Sequence, residues 1–234
     1  MSALYLYAIV GEEPARLPRG TEVVRAGRAW VVVARRAAPA VTLENAVAHD
    51  RVVQQLARAC DAVLPLRFGG TIASEAALRK KLAPLAGPIR EALARVRGAV
   101  QMTMRVSGQE AAHVDDRPEE GPQKRVRSAP SASREGRVGG GAPDDDQGPG
   151  ARYLARKVAA ERVPEIAPIT QATRERVRAA RIERKRTERS FATVYHLVDK
   201  GELRAWRRIV RATSIEGVTV TVSGPWPPYA FAEL

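Results

Sequence analysis

Val100-Gln101-Met102-Thr103-Met104-Arg105-Val106 (VQMTMRV) alternates strictly between apolar and polar side chains, the period of a strand with one core face and one polar face. The segment after it is different in kind. Ser107 to Gly150 holds eight Gly and five Pro, no aromatic residue, and charge blocks such as Asp144-Asp145-Asp146. Such a segment buries too little apolar surface to offset its ordering entropy, so a disordered Gly/Pro-rich linker is expected over 107–150. The strand therefore closes a first α+β domain, residues 1–106, and a second occupies 151–234.

Upstream of the strand, Leu4 to Val10 reads as a central strand covered on both sides, with Leu4, Leu6, Ala8 and Val10 on one face and Tyr5, Tyr7 and Ile9 on the other. Thr21 to Arg25 and Ala29 to Ala34 are β-branched runs joined through Gly27, a hairpin. Thr42 is placed to cap a helix running to about Cys60, whose Val53, Leu56, Ala57 and Cys60 form a buried stripe. Ser74 caps the next helix, which Pro84 and Gly87-Pro88 should kink or break before Ile89, Leu93 and Val96 resume the pattern, with Gly98 as its stop.

Downstream of the linker, Tyr153 to Val163 and Gln171 to Glu188 look helical, Phe191 to Val198 reads as a strand, and Gly201 to Ser214 is a helix with Leu203, Trp206 and Val210 on one side. Val218, Val220 and Val222 alternate with Thr219, Thr221 and Ser223 in a last strand. A β-α-β unit preceded by a long helix suggests a reduced ferredoxin-like fold for this domain.

The chain of 234 residues carries a formal net charge of +13, which biases it toward anionic partners. Between Ala151 and Arg189 twelve Lys or Arg stand against five Glu, a net of +7, over half of the excess. Read as a helix, 174–189 could present Arg178, Arg181, Lys185 and Arg189 to phosphates, which makes a basic nucleic-acid-binding module the alternative reading. Glu175, Glu183 and Glu188 interrupt that face and no zinc-finger, RNP or helix-turn-helix signature accompanies it, so a solvated face is favoured.

Catalysis leaves no mark. His49, His113 and His196 are scattered, without the spacing of metal ligands. His49 reads as a helix-surface or capping residue and His196 as a hydrogen-bonded core residue. The lone Cys60 excludes an internal disulfide and reads as a buried thiol. Phe68-Gly69-Gly70-Thr71 lacks the Gly-Lys-Ser/Thr run of a phosphate loop and is better explained as a structural turn. No catalytic residue, metal or cofactor is assigned. With no apolar run near the roughly 20 residues that cross a bilayer, and no basic leader in Met1 to Val10, a cytoplasmic protein without membrane insertion is expected.

Two strings stand apart. In Leu64-Pro65-Leu66-Arg67-Phe68-Gly69-Gly70 apolar residues surround one arginine, which must find partners if it is buried. In Gly224-Pro225-Trp226-Pro227-Pro228-Tyr229-Ala230-Phe231 three prolines forbid helix and central strand, leaving an extended arm that holds Trp226 and Tyr229. Together with Leu4-Tyr5-Leu6-Tyr7-Ala8-Ile9 they closely resemble the gas vesicle protein family known as GvpL/GvpF, a likeness that also takes in Val47 to Val53 and Ala73-Ser74-Glu75. The resemblance implies two α+β domains, the second ferredoxin-like. It implies a non-catalytic, chaperone-like assembly factor for the gas compartments that give cells buoyancy, binding the apolar shell protein and other accessory subunits. The motif residues Leu64, Pro65, Arg67, Phe68, Gly69, Gly224, Pro225, Trp226, Pro227, Pro228, Tyr229 and Phe231 are then expected to define the fold, with Arg67 and Trp226 fixing the turn and the terminal arm. The long linker and basic second half are this chain's own departures.

Overall fold

The computed structural model describes residues 3–108, 166–187 and 190–233. The fold class is α+β, with two antiparallel sheets. In the first sheet, β1 (Leu4–Val10), β2 (Glu22–Ala26), β3 (Ala29–Arg35) and β4 (Val63–Pro65) lie in the order β2-β3-β1-β4, and β5 (Thr71–Ile72) also pairs with β1. The hairpin turns at Gly27, whose φ of +66° suits a residue without a Cβ. Three helices accompany this sheet: α1 (Leu43–Ala59), α2 (Glu75–Leu82) and α3 (Ala86–Val96). The caps fall where expected, since Thr42 Oγ1 accepts from the Asn45 amide and Ser74 Oγ from the Ala77 amide, both at 3.2 Å. Pro84 sits in the short 3₁₀ turn that separates α2 from α3.

β1 is central, but its two faces do not follow simple alternation. A bulge between Leu6 and Ala8 leaves Tyr7 unmatched on β3. One extra residue moves everything after it to the opposite face. Leu4, Leu6 and Ile9 therefore share a core with Leu78, Ile89 and Leu93 of α2 and α3. Ala8 and Val10 pack with Leu56 and Cys60, and Tyr5 and Tyr7 with Val53, all of α1 or its end. Cys60 is buried, and burial pushes its thiol pKa up, away from reactivity.

The second sheet corrects the placing of VQMTMRV. β6 (Ala99–Gly108) pairs with no strand of the first sheet; it lies between β8 (Ser190–Asp199) and β9 (Val218–Trp226), with β7 (Ala179–Thr187) beyond β8. Its apolar face, Met102, Met104 and Val106, packs with Ile166 and Ile169, at and in α4 (Ala167–Thr173), and with Trp206 and Val210 of α5 (Leu203–Ala212). Its other face is not solvated as a polar face should be. Gln101 and Thr103 are buried too, and Ala99 joins Leu197 in the core shared with α2 and α3.

The helix expected over 171–188 is a second correction. α4 ends at Thr173, and from Ala179 the chain is strand, Ala180 to Arg184 pairing with His196 to Ala192. Arg, Lys and Glu favour helix only by tenths of a kcal/mol each. Ladder bonds to β8 and burial around Ile182 outweigh that preference. The linker expected over 107–150, with His113, and the helix over 153–163 lie outside the described residues, except that Ser107 and Gly108 belong to β6.

His196 is a core residue, as its sequence context suggests. It is 1% exposed, and Trp206 Nε1 donates to its Nδ1 at 3.1 Å. Burial lowers its pKa from 6.5 to about 4. The unfolded chain therefore takes up this proton first, so the contribution to stability is fully present above pH 6.5 and lost as pH falls from 6.5 through about 4. Denaturant titrations at pH 7 and 4.5 should differ by about 2 to 3 kcal/mol from this group alone, and a His196→Asn variant should lose correspondingly less on acidification.

Candidate functional site

The first motif is a loop inserted along one edge of β1. β4 pairs Val63 with Val10, Leu64 with Ile9 and Pro65 with Ala8. The Leu66 amide then donates to Tyr7 O at 2.8 Å, the Gly70 amide closes a turn onto Arg67 O at 3.2 Å, and the Leu6 amide donates to Gly70 O at 3.0 Å. Gly69 takes φ +86°, a conformation costly for any side-chain-bearing residue. The Gly70 amide thus closes the turn and the Gly69 amide goes to the Tyr5 hydroxyl, so neither is free to cradle a phosphate. Arg67 is exposed, so the demand for a buried partner does not arise.

His49 holds this turn from the other side and corrects its reading as a surface residue. It is 4% exposed. Its Nε2 lies 3.2 Å from Leu66 O and its Nδ1 2.7 Å from the Tyr5 hydroxyl. A carbonyl only accepts, so Nε2 carries the proton and Nδ1 accepts from Tyr5. The Tyr5 oxygen in turn accepts from the Gly69 amide at 3.5 Å. Burial lowers the His49 pKa, which keeps the ring in this neutral form, and burial raises that of Tyr5. The pair braces the loop against α1 through these hydrogen bonds. Tyr7 stacks on the imidazole at 5.1 Å, and Phe68 meets it edge-on at 5.7 Å. The bulge is what brings Tyr7 to this face.

The second motif arrives from the far end of the chain. Arg207 Nη2 donates to Gly224 O at 2.9 Å. Gly224 has φ +113°, and a Cβ there would lie 2.9 Å from Gln101 O, so only glycine lets β9 approach β6 here. Pro225 falls on an edge strand, where a missing N–H costs least. Pro227 and Pro228 are buried, and Phe231 enters the core shared with α2 and α3. The Ala230 amide donates to Gln101 Oε1 at 2.7 Å, which explains why the polar face of β6 is covered. Trp226 and Tyr229 keep 39% and 38% of their surface exposed.

The two motifs meet at α1. The Tyr229 hydroxyl donates to Asp50 Oδ1 at 2.6 Å, and Gln54 holds the other carboxylate oxygen at 2.6 Å. Burial and the Asp50 carboxylate push the phenol pKa up. Adjacent residues of one helix thus face the two strings: His49 grips the loop and Asp50 the arm. Pro65, Leu66, Arg67, Phe68, Tyr229 and Asp50 line a common open cleft of about 650 Å³. Beside it, the start of α1 leaves Val41, Leu43 and Val47 at 91%, 82% and 39% exposure. Sequence reasoning missed His49 and Asp50 as a pair, although Val47 to Val53 lay within the likeness that marked the motifs.

In the described part of the basic stretch, three arginines are taken up by carboxylates. Arg176 pairs with Glu202, Arg178 with Asp199, and Arg181 with Glu183 and Glu233. Arg178 also donates to Arg97 O at 2.6 Å. Among the described residues, no group of three or more His, Cys, Asp and Glu could hold a metal ion, and no helix is long and apolar enough to cross a membrane.

The chain matches the model of the family described as gas vesicle synthesis protein GvpL/GvpF over residues 3–233. Among solved structures it is similar to the crystal structure of the gas vesicle protein GvpF from Anabaena sp. PCC7120, with 14% identity, TM-score 0.67, and coverage of 100% of this chain and 97% of that one. It is also similar to the crystal structure of gas vesicle protein GvpF from Microcystis aeruginosa, with 12% identity, TM-score 0.68 and 100% coverage of both chains. At these identities the likeness shows the fold. No curated protein matches.

If His49 and Asp50 secure the two motifs separately, their removal has separate signatures. His49→Ala strands the buried Tyr5 hydroxyl and removes the donor to Leu66 O, and should cost about 2 to 3 kcal/mol by chemical denaturation. Tyr229→Phe should cost about 1 kcal/mol. In a double-mutant cycle Tyr229→Phe should couple to Asp50→Ala and be additive with His49→Ala within about 0.5 kcal/mol.

Proposed function

The chain belongs to the gas vesicle synthesis protein GvpL/GvpF family, and from that premise we propose that it is a non-catalytic accessory protein of gas vesicle assembly. It binds shell subunits, or sister accessory subunits, and keeps apolar shell protein soluble until it is incorporated. The observation that carries this reading is the exposure of Leu43 and Val47, one turn apart at the start of α1, and of Val41 just before it, with Trp226 and Tyr229 of the arm also exposed. Exposed apolar patches of this kind mark protein contact sites, and a protein that lines a gas space presents the matching surface.

In this reading the motifs are the framework of the face. Leu64, Pro65, Phe68 and Gly69 hold the loop under α1, while Gly224, Pro225, Pro227, Pro228 and Phe231 bring Tyr229 to Asp50 of α1. Arg67, exposed at the cleft, is the motif residue best placed to touch a partner. The second sheet we read as ferredoxin-like, supported by the order β9-β6-β8-β7 and by helices between β6 and β7 and between β8 and β9. The protein would act in the cytoplasm and at the vesicle.

Leu43 and Val47 are exposed, so replacing both with Asp should leave the melting temperature within a few degrees of the parent. In pull-downs of co-expressed shell protein, the Leu43→Asp/Val47→Asp variant should retain about tenfold less. Retention equal to the parent's would remove this face from the proposal.

A further inference from the structure

A second cavity, of about 400 Å³, opens on another part of the first sheet, between the β2–β3 turn and the α2–α3 segment. Its lining is apolar, including Leu82, Ile89 and Leu93, and its width comes from residues with little or no side chain such as Gly87. Arg28, Arg90 and Arg97 also line it. All three are exposed, and among the described residues none of their guanidinium groups has an ion-pair or hydrogen-bond partner. That contrasts with Arg176, Arg178 and Arg181, each of which has a carboxylate.

We propose that this pocket binds an acidic protein segment that inserts an apolar side chain between carboxylates. The floor accepts the apolar anchor, as in most ligand pockets of this size. The rim supplies the charge: three guanidinium groups, each shaped to take a carboxylate in two hydrogen bonds. Their spacing selects a chain over a single small anion. Arg90 lies on α3 and Arg97 directly follows its last turn, seven residues on and about 10 Å along the helix axis, and Arg28 approaches from the hairpin. One carboxylate spans a fraction of that distance, whereas successive acidic residues of a peptide reach all three. Duplex nucleic acid would use the arginines but not the apolar floor. The site is independent of the α1 face, so the two readings stand or fall separately.

The test uses the full chain and a short fluorescein-labelled peptide in which Leu residues alternate with pairs of Glu, followed by anisotropy. Two variants separate rim from floor. Arg90→Gln/Arg97→Gln removes charges without partners, and Gly87→Leu fills the pocket from a position where a Cβ meets nothing within 4 Å. Each should weaken the peptide about tenfold, the ratio that 1.4 kcal/mol corresponds to. The same peptide with Gln in place of Glu should bind the parent protein correspondingly less. Equal affinity for parent and both variants overturns the proposal, as does equal affinity for the Glu and Gln peptides. Duplex DNA that displaces the peptide and depends on the arginines but not on Gly87→Leu overturns it in favour of phosphate recognition. Melting curves of both variants within a few degrees of the parent's assign the losses to the pocket.

Discussion

The hydrogen bond between the Tyr5 hydroxyl and His49 Nδ1 is buried, in the layer between β1 and α1. A buried polar group that loses its partner bears the full cost of desolvation, so each member of the pair dictates where the other must be. Tyr5 sets the depth of α1 on the sheet. His49, once placed, has one donor left, and Leu66 O receives it. That bond positions the loop, whose Gly69 amide returns to the Tyr5 oxygen. The cycle closes on itself. The next residue of the same helix, Asp50, reaches the terminal arm, so the two ends of the described chain are gathered onto one turn of α1.

The chain doubles back to achieve this. β6 leaves α3 and enters a sheet whose other strands come from beyond the undescribed stretch, and the arm returns from that sheet to the core of the first. Phe231 and Leu197 share one apolar cluster with Leu4 and Leu93.

Charge is used differently in different places. The strongly basic run after Arg174 looks like a functional helix in one dimension, yet in three it forms strand pairs and ion pairs with Glu202, Asp199 and Glu233. Arginines that attract no notice in the sequence, Arg28, Arg90 and Arg97, line one apolar cavity and have no acidic partner among the described residues. The density of charge along a chain does not say where charge is left over, since only folding decides which cations meet carboxylates.

What the amino-acid sequence determined by itself was local: the caps at Thr42 and Ser74, the turns at Gly27 and Gly98, the buried stripe of α1, and the core setting of His196. Each depends on interactions within a few residues or on a strong periodicity, and the two proline- and glycine-bearing motifs named the family because such strings are rare. What tertiary structure alone decided was everything that needs a partner outside the local pattern. The bulge at Tyr7 reverses the faces of β1 and has no signature in an alternating pattern. The inward turn of His49 depends on partners 17 and 44 residues away. The membership of β6 depends on strands from beyond the undescribed stretch, and the strand at Ala179–Thr187 on its pairing with β8. Burial and pairing are worth more than propensity at those positions, and neither can be counted until the partner strand is in place.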